Sequence, residues 1–384
     1  MKNILKNGVV AVAVTLALLL PRGAAAQENK TFNNLGLTDE QYMAVADSIH
    51  KVIISFDTHV DTPSYLVHPE GNWTVTKGQV TFDLMKKGGL DGAFFAIYLD
   101  QEDWHRQSAL DSAYNYCRNT LLDWRWYVYS KGYTDVAGFA TTPEECRALK
   151  AQGKRIIVSC IENAYPIRTL EDLDEFYQLG VRYITLSHNT ANQICDGSRY
   201  PKTAVWHGIS PFGFKVIERM QQLGIMVDVS HISSEALADV LRVTKAPVIA
   251  SHSSCRVFRP NQLRNLTDDE IKAIAAVGGV IQVATGRFFL TDQLPKDKVD
   301  VKLLADHIDH VREVAGVDYV GLGTDFDGGG GVVGMNNAGE MKNLTVELLK
   351  RGWGVEDLRK FWGGNLLRVW QECIDKAAEL SKKQ

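Results

Sequence analysis

Eight short apolar segments recur along this chain, and stretches with a helical pattern separate them. Glycine lies just before five of these segments, where it suits the left-handed position that follows the end of a helix. Eight strands alternating with helices are the element count of a (β/α)8 or TIM barrel, so the pattern predicts this α/β fold. The predicted strands cover residues 52–57, 93–99, 156–161, 182–187, 225–230, 247–251, 279–284 and 319–324.

An open, doubly wound sheet is the alternative architecture for such an alternation. In that fold the ligands gather at a switch point in the strand order, and four or more strands could not easily contribute to one site. No Gly-x-Gly-x-x-Gly motif follows an early strand, so the sequence gives no support for dinucleotide binding. The pattern therefore favours the closed barrel, in which the carboxyl ends of all strands meet at one face.

Six of the apolar segments run into residues that can bind a metal or move a proton. These residues are His59 with Asp61, Glu162, His188, His231, His252 and Asp325. Because the ends of barrel strands converge, ligands that are far apart in the sequence would share one site. Two histidines, a His-x-Asp pair and a lone glutamate form the ligand chemistry of a two-metal hydrolase.

Each ligand is weak evidence by itself and gains weight from the others. Side chains repeat with period two along a strand, so His59 and Asp61 point to the same side and can reach one metal ion. The carboxylate of Glu162 can bridge two ions, one oxygen to each. Neutral imidazoles at the ends of two consecutive strands, His231 and His252, can complete the shell of a second ion.

Other titratable residues have supporting or structural interpretations. Asp325 follows the eighth predicted strand and is the natural proton carrier if metal occupies the other acids, although Asp327 could compete for that role. Asp228 lies within a predicted strand and is expected to support the site from the barrel interior. His307 and His310 have helical spacing and are interpreted as structural residues of the outer ring of helices.

The first residues have the pattern of an export signal. Lys2 and Lys6 precede an apolar run over 9–20, and three alanines before Gln27 suit a cleavage site. Removal of this segment would leave an exported protein, periplasmic or secreted, without a membrane anchor. The expected division is a signal peptide over 1–26, a flexible segment over 27–38 and a single barrel domain over 39–384.

The composition bears on the binding partner, the size of the core and the disulfides. The formal net charge of −4 becomes more negative once the cations of the signal are removed, which argues against nucleic acid. A hydrophobic content of 45% is ample for one large core. Six cysteines without Cys-x-x-Cys spacing predict at most one or two disulfides, and Cys160, inside an apolar segment, is expected to be a buried free thiol.

Several longer motifs resemble the membrane (renal) dipeptidase family of zinc peptidases. The motifs are FDTHVDTP, IASHSS, RNLTDDEI, ADHIDHV, GLGTDFDGG and GGNLLRV, together with GVRYITLSHN and HGISPFGFKVIERMQQLGIMVDVSH. These matches occur in order over residues 54–369, nearly all of the chain after the signal. The resemblance implies a (β/α)8 barrel, hydrolysis of dipeptides by a hydroxide that two zinc ions share, and a homodimer.

The resemblance also implies five zinc ligands, two substrate-binding residues and one proton carrier. The ligands would be His59, Asp61 and Glu162 for one zinc, and Glu162, His231 and His252 for the other. His188 would face the substrate and help to polarise the scissile carbonyl. Arg264, in the motif LRNL, would pair with the C-terminal carboxylate of the dipeptide, and Asp325 would move the proton.

Residues beside the ligands depart from the family pattern. Asn163 and Ala164 follow the bridging glutamate where Gly-Gly is more usual, and Thr58 and Val60 flank the first histidine. These departures bear on substrate preference more than on metal binding.

Two other functions fit the same barrel. The first is another metal-dependent amidohydrolase, acting on a β-lactam, a lactone or a phosphoester. Those enzymes usually bridge their metals with a modified lysine, and no lysine ends a predicted strand here. The second is a non-catalytic binding protein, which the loss of a ligand would favour, but all five ligands and Asp325 are present.

Overall fold

The computed structural model describes residues 29, 31–63, 78–101, 103–198 and 204–382. The predicted signal peptide and part of the predicted flexible segment lie outside these residues. Within the described ranges, no helix combines the length and the apolar character needed to cross a bilayer.

Nine parallel strands of the described chain form one sheet. They are β1 Phe56–Val60, β2 Gly92–Tyr98, β3 Ala137–Phe139, β4 Arg155–Glu162, β5 Val181–Thr185, β6 Met226–Asp228, β7 Ile249–Ala250, β8 Val280–Val283 and β9 Val320–Leu322. Eight of them pair in the order β1-β2-β4-β5-β6-β7-β8-β9, and β3 pairs only with β4. A bridge between Val60 and Phe326 joins the first strand to the chain that follows the last, so the sheet closes into the predicted barrel.

Helices connect the strands and surround the barrel. The main ones are α1 Asp39–Val52, α2 Phe82–Gly88, α3 Gln107–Ser130, α4 Pro143–Ala151, α5 Leu170–Gln178, α6 Pro211–Leu223, α7 Ser234–Val243, α8 Asp268–Ala276, α9 Arg287–Leu290, α10 Val301–Ala315, α11 Met341–Lys350, α12 Val355–Arg359 and α13 Asn365–Ser381. A π-helical turn over Lys360–Gly364 joins the last two.

Local sequence signals account for many helix ends. Thr267 and Glu270 form the capping box expected before α8, so each side chain satisfies a backbone N–H of the other residue. Ser210 accepts a hydrogen bond from the Gly213 N–H at the start of α6, and this helix ends at Gly224 in the left-handed conformation (φ 77°). The chain thus turns into β6 directly after the helix.

Alternation along the strands separates two layers of core. On β2, Phe94 belongs to the cluster inside the barrel, whereas Phe95 packs between the barrel wall and the helices. The last helix closes the amino ends of the strands. Its Trp370 ring lies 5.5 Å from the Phe94 ring, and its Asn365 side chain donates to the Val320 carbonyl at the start of β9.

All eight predicted strands are present, with two differences. The first strand begins at Phe56 because α1 continues to Val52, so the predicted strand over 52–57 was placed too early. The three-residue β3 was not predicted. All six cysteines are buried free thiols, Cys160 among them, and none of the disulfides that the sequence allowed is formed.

Candidate metal centre

The predicted ligands meet at the carboxyl ends of the barrel strands. Glu162 is the last residue of β4, and His59 and Asp61 lie at the end of β1. His231 and His252 follow β6 and β7 by two or three residues. The backbone of His231 takes a left-handed conformation (φ 70°), which turns the chain sharply at the rim of the barrel.

Glu162 lies at the centre of this cluster, with one carboxylate oxygen for each side. Its Oε1 atom is 3.0 Å from His231 Nε2 and 3.3 Å from His252 Nε2. Its Oε2 atom is 3.5 Å from His59 Nε2. The carboxylate of Glu162 is therefore close enough to His59 on one side, and to His231 and His252 on the other, to bridge two ions.

Two of the ligand atoms lack hydrogen-bond partners, which fits a bound cation. His59 Nε2 lies 3.6 Å from Asp61 Oδ2, and neither His59 Nε2 nor Asp61 Oδ1 has a hydrogen-bond partner among the described residues, although both are buried. The Nε2 atoms of His231 and His252 face each other at 2.8 Å. Buried nitrogens and oxygens without partners are costly, and a cation between them would remove that cost.

Burial and mutual charge perturb the acids of the cluster. Burial favours the neutral form of Glu162, but the charge on His59 and the hydrogen bonds from His231 and His252 outweigh it and hold the pKa of Glu162 well below its usual range. Burial and the neighbouring Asp61 carboxylate raise the pKa of Asp325 well above its usual value. The close packing of these buried acids therefore favours ionisation of Glu162 and a proton on Asp325.

Two sets of hydrogen bonds from inside the barrel orient the rings of His59 and His252. The Tyr183 hydroxyl lies 2.6 Å from His59 Nδ1 and donates to the Thr58 carbonyl at 3.0 Å. Asp228 accepts from the Ser251 hydroxyl at 2.7 Å, and that hydroxyl lies 2.8 Å from His252 Nδ1. In both rings Nδ1 is occupied, so Nε2 is left to face the cluster. Asp228 was expected to support the site from within the barrel, and it lies there.

Two further residues of the site, Tyr183 and Asp57, were not predicted from the sequence. Asp57 accepts from the Thr324 N–H at 2.8 Å and from the His59 N–H at 3.2 Å, so it joins β1 to the end of β9. The available signal was the period-two spacing, which places Asp57 on the same face as His59.

Asp325 and Asp327 have different surroundings. A ligand atom of Asp325 lies within 4.8 Å of those of His59 and Asp61. The Asp327 carboxylate instead accepts from the Thr62 hydroxyl and from the Gln79 N–H, both at 2.7 Å. Asp327 thus holds loops together, and Asp325 is the acid next to the predicted ligands.

A cavity of about 550 Å³ opens onto the cluster. His188 lines it, with Nε2 at 3.8 Å from Glu162 Oε1. Arg264 lines it as well, although the residue is only 6% exposed. The Arg264 guanidinium donates to the Ser253 hydroxyl at 2.7 Å and to the His252 carbonyl, and burial lowers the pKa of Arg264 to about 10.

Arg264 has no carboxylate partner in the described part of the chain. Every described ion pair involves other residues, and Arg264 Nε is buried without a hydrogen-bond partner. A buried guanidinium without a counterion is unfavourable, so this position favours an anionic ligand.

The remaining histidines of the sequence analysis lie elsewhere. His307 is buried in α10, with Nε2 at 3.0 Å from the Leu290 carbonyl, and His310 Nε2 is 2.8 Å from an Asp268 carboxylate oxygen. Their interpretation as structural residues agrees with these contacts. His68 lies outside the described residues.

Comparisons with known proteins agree with this architecture. The family described as membrane dipeptidase, peptidase family M19, matches residues 43–384. A dipeptidase of Schizosaccharomyces pombe is 32% identical over 344 residues, covering 85% of this chain and 82% of the relative. The probable dipeptidase PvdM of Pseudomonas aeruginosa has a similar structure, with a TM-score of 0.80 and 29% identity over 88% of this chain and 99% of that one. The structure of dipeptidase AC, of family M19, matches with a TM-score of 0.74 and 25% identity over 84% of this chain and 98% of that one.

Proposed function

Because this chain belongs to the membrane dipeptidase family, peptidase family M19, and is thus a metal-dependent dipeptidase, we propose that it is an exported enzyme that hydrolyses dipeptides with two zinc ions. The zinc, the number of ions, the export and a homodimeric assembly are the parts of this proposal that go beyond the family. The dipeptide substrate is supported above all by Arg264. This buried residue has no described carboxylate partner, and it lines the same cavity as the ligand cluster.

The proposed ligands divide around the bridging carboxylate. His59 and Asp61 would hold one ion with Glu162, and His231 and His252 would hold the other. Bound zinc would bring the pKa of a coordinated water toward neutrality and would polarise the scissile carbonyl. Neutral imidazoles and ionised carboxylates are the forms that bind zinc.

The chain's own residues would bind the substrate and move the proton. Arg264 would pair with the C-terminal carboxylate of the dipeptide, and this contact would limit substrates to short peptides. His188, on the wall of the cavity, would donate to the carbonyl oxygen as its negative charge develops. Asp325 would accept a proton from the attacking water and deliver it to the leaving amine.

The residues that line the cavity give no support to the alternative amidohydrolase function. The described residues that line it include no lysine, the residue that such enzymes usually modify to bridge their metals. All five proposed ligands and Asp325 lie together. A non-catalytic binding protein would not need this complete set, so the arrangement favours an enzyme.

The test compares a dipeptide with its C-terminal amide. Replacement of Arg264 by alanine should cost about 2–5 kcal/mol in kcat/KM for the free dipeptide, as expected for the loss of a desolvated charge pair. The same variant should lose little with the amide, because the amide offers no carboxylate. Arg242→Ala, in which an exposed arginine paired with Asp239 is removed, is the control. An amide that the wild type cleaves as fast as the acid would contradict the assigned role of Arg264.

Export and assembly have separate tests. Mass spectrometry of the protein from its native host should find a mature chain that begins at Gln27. Sedimentation of that chain should give the mass of a homodimer.

A further inference from the structure

The cavity over the ligand cluster is lined by two unlike sets of residues. Asp61, Glu162 and Asp325 belong to the polar set. Phe288 and Phe289, which belong to the short helix α9, form an aromatic wall. The Phe289 side chain is almost fully buried, whereas Phe288 is 45% exposed. An aromatic ring that borders a cavity and remains half exposed is available to cover an apolar group of a ligand.

The aromatic wall is fixed relative to the proposed carboxylate site. The Arg264 guanidinium carbon lies 5.4 Å from the centre of the Phe289 ring, and the Asn265 side chain donates to the Phe289 carbonyl at 2.8 Å. The rings of Phe288 and Phe289 are 4.1 Å apart. Arg264 supplies the cation, and its neighbour Asn265 holds the backbone of Phe289 beside it.

The covalent structure of a dipeptide connects these two features. The side chain of the C-terminal residue leaves the carbon atom that carries the carboxylate. If Arg264 holds that carboxylate, this side chain emerges next to the ring beside the guanidinium. Tyr98, His188 and Asn189 also line the cavity and offer polar groups.

We propose that the site selects dipeptides whose C-terminal residue has a bulky apolar side chain, and that Phe288 determines this preference. The inference rests on the proposed dipeptidase function, since it takes the substrate's carboxylate to Arg264. An apolar side chain on the wall formed by Phe288 and Phe289 removes the exposed face of the Phe288 ring from water. A polar or charged side chain placed against these two rings loses hydration and gains no hydrogen bond from them.

The experiment measures binding and turnover separately. Calorimetry determines the affinity of non-cleavable analogues of Ala-Leu and Ala-Gly, in which CH2–NH replaces the amide, for the zinc-loaded wild type and for Phe288→Ala. The wild type should bind the leucine analogue at least about tenfold more tightly than the glycine analogue, which is the range for a small apolar group in an apolar pocket. This ratio should fall toward one in Phe288→Ala and should recover in Phe288→Leu.

Two comparisons make the result specific. Leu294→Ala removes a similarly exposed apolar side chain, 47% exposed, that is not among the described residues lining the cavity, and it should leave the ratio unchanged. The analogue of Leu-Ala, compared with that of Gly-Ala, should show no dependence on Phe288. A ratio that survives in Phe288→Ala, or a loss that appears only for the N-terminal side chain, would overturn the inference. Failure of the wild type to cleave any dipeptide would instead contradict the proposed function, while the binding ratios would still decide the role of Phe288.

Discussion

The acids and histidines near the two ends of the barrel differ in their hydrogen bonding. At the carboxyl end, His59 Nε2, Asp61 Oδ1 and Arg264 Nε are buried without partners among the described residues. At the amino end, Asp91 accepts from the Ser55 N–H at 2.9 Å and from the Lys150 ammonium at 2.6 Å.

A histidine at each end shows the same difference. Both ring nitrogens of His50, near the amino end, have protein partners, the Gly89 carbonyl at 2.9 Å and the Thr345 hydroxyl at 2.7 Å. In His59 only Nδ1 has one, in Tyr183. Buried polar atoms ordinarily have partners, so the atoms without partners in the ligand cluster suit a bound ligand, whereas the fully bonded His50 and Asp91 suit a role in stability. Substitutions at the two ends should therefore separate activity from stability.

Glu162→Gln should have the largest effect. The neutral amide cannot bridge two cations, so metal and activity should be lost together. Turnover should fall by on the order of 10⁴-fold or more, beyond the loss of general acid–base help alone. Elemental mass spectrometry gives the metal content, and circular dichroism controls for the fold. A variant that retained two ions and full activity would show that the bridge is assigned to the wrong residue.

Asp325→Asn should lose turnover without losing metal. Asparagine has nearly the same shape but cannot accept and return a proton, so kcat should fall by about 10²–10⁴-fold. Asp327→Asn is the matched control, because its carboxylate is already occupied by Thr62 and Gln79. A collapse of turnover in the control variant, with survival in Asp325→Asn, would exchange the two roles. Loss of metal from Asp325→Asn would make Asp325 a ligand.

Asp91→Asn, at the amino end, should lower stability and leave activity unchanged. It breaks a buried pair with Lys150 and the longer contact of 3.6 Å with Arg155. The free energy of unfolding should fall by about 3 kcal/mol, near the low end for a buried pair because the Lys150 side chain is 21% exposed. Metal content and kcat should remain those of the wild type. Urea denaturation measures the first quantity, and a large fall in kcat would show that the two ends are coupled.

Acid should weaken the amino end by a smaller amount. Burial lowers the pKa of His50 from 6.5 to about 4, so the folded state resists protonation that the unfolded state accepts. The stability that this neutral ring contributes is complete above pH 6.5 and is lost as the pH falls toward 4. Between pH 7 and pH 5.5 the loss should be about 1 kcal/mol.

The measurement compares the unfolding of metal-free wild type and His50→Gln at both pH values. The wild type should lose about 1 kcal/mol more than the variant, because the other histidines with a lowered pKa, His307 among them, are present in both proteins. Equal losses in the two proteins would show that His50 does not contribute.

The sequence predicted the parts of the structure that repeat. Eight apolar segments are eight strands, and the strand-end residues lie together because parallel strands in a barrel must all end at one face. The start of β1 was missed because α1 and the strand are joined by three residues, 53–55, and the apolar pattern continues across the boundary. β3 was missed because three residues, one of them glycine, give no periodic signal.

The supporting residues could not be predicted in the same way. Tyr183 lies in an apolar strand, where a tyrosine is ordinarily a core residue. Its contact is with His59, 124 residues earlier in the chain, and only the closed barrel brings the two together. Long-range pairs of this kind depend on packing, and packing has no local signature in the sequence.

The closure of the barrel also has a consequence for biosynthesis. Asp57 on β1 binds Thr324 beyond β9, and these residues are 267 positions apart. At about 5–20 residues per second, a ribosome needs roughly 10–50 s to make the intervening chain. A nascent chain that extends only through β8 already contains all five proposed metal ligands but has neither Asp325 nor the strand that completes the wall beside His59. The growing polypeptide therefore contains all five ligands before it contains the acid proposed to move the proton, which follows His252 by 73 residues.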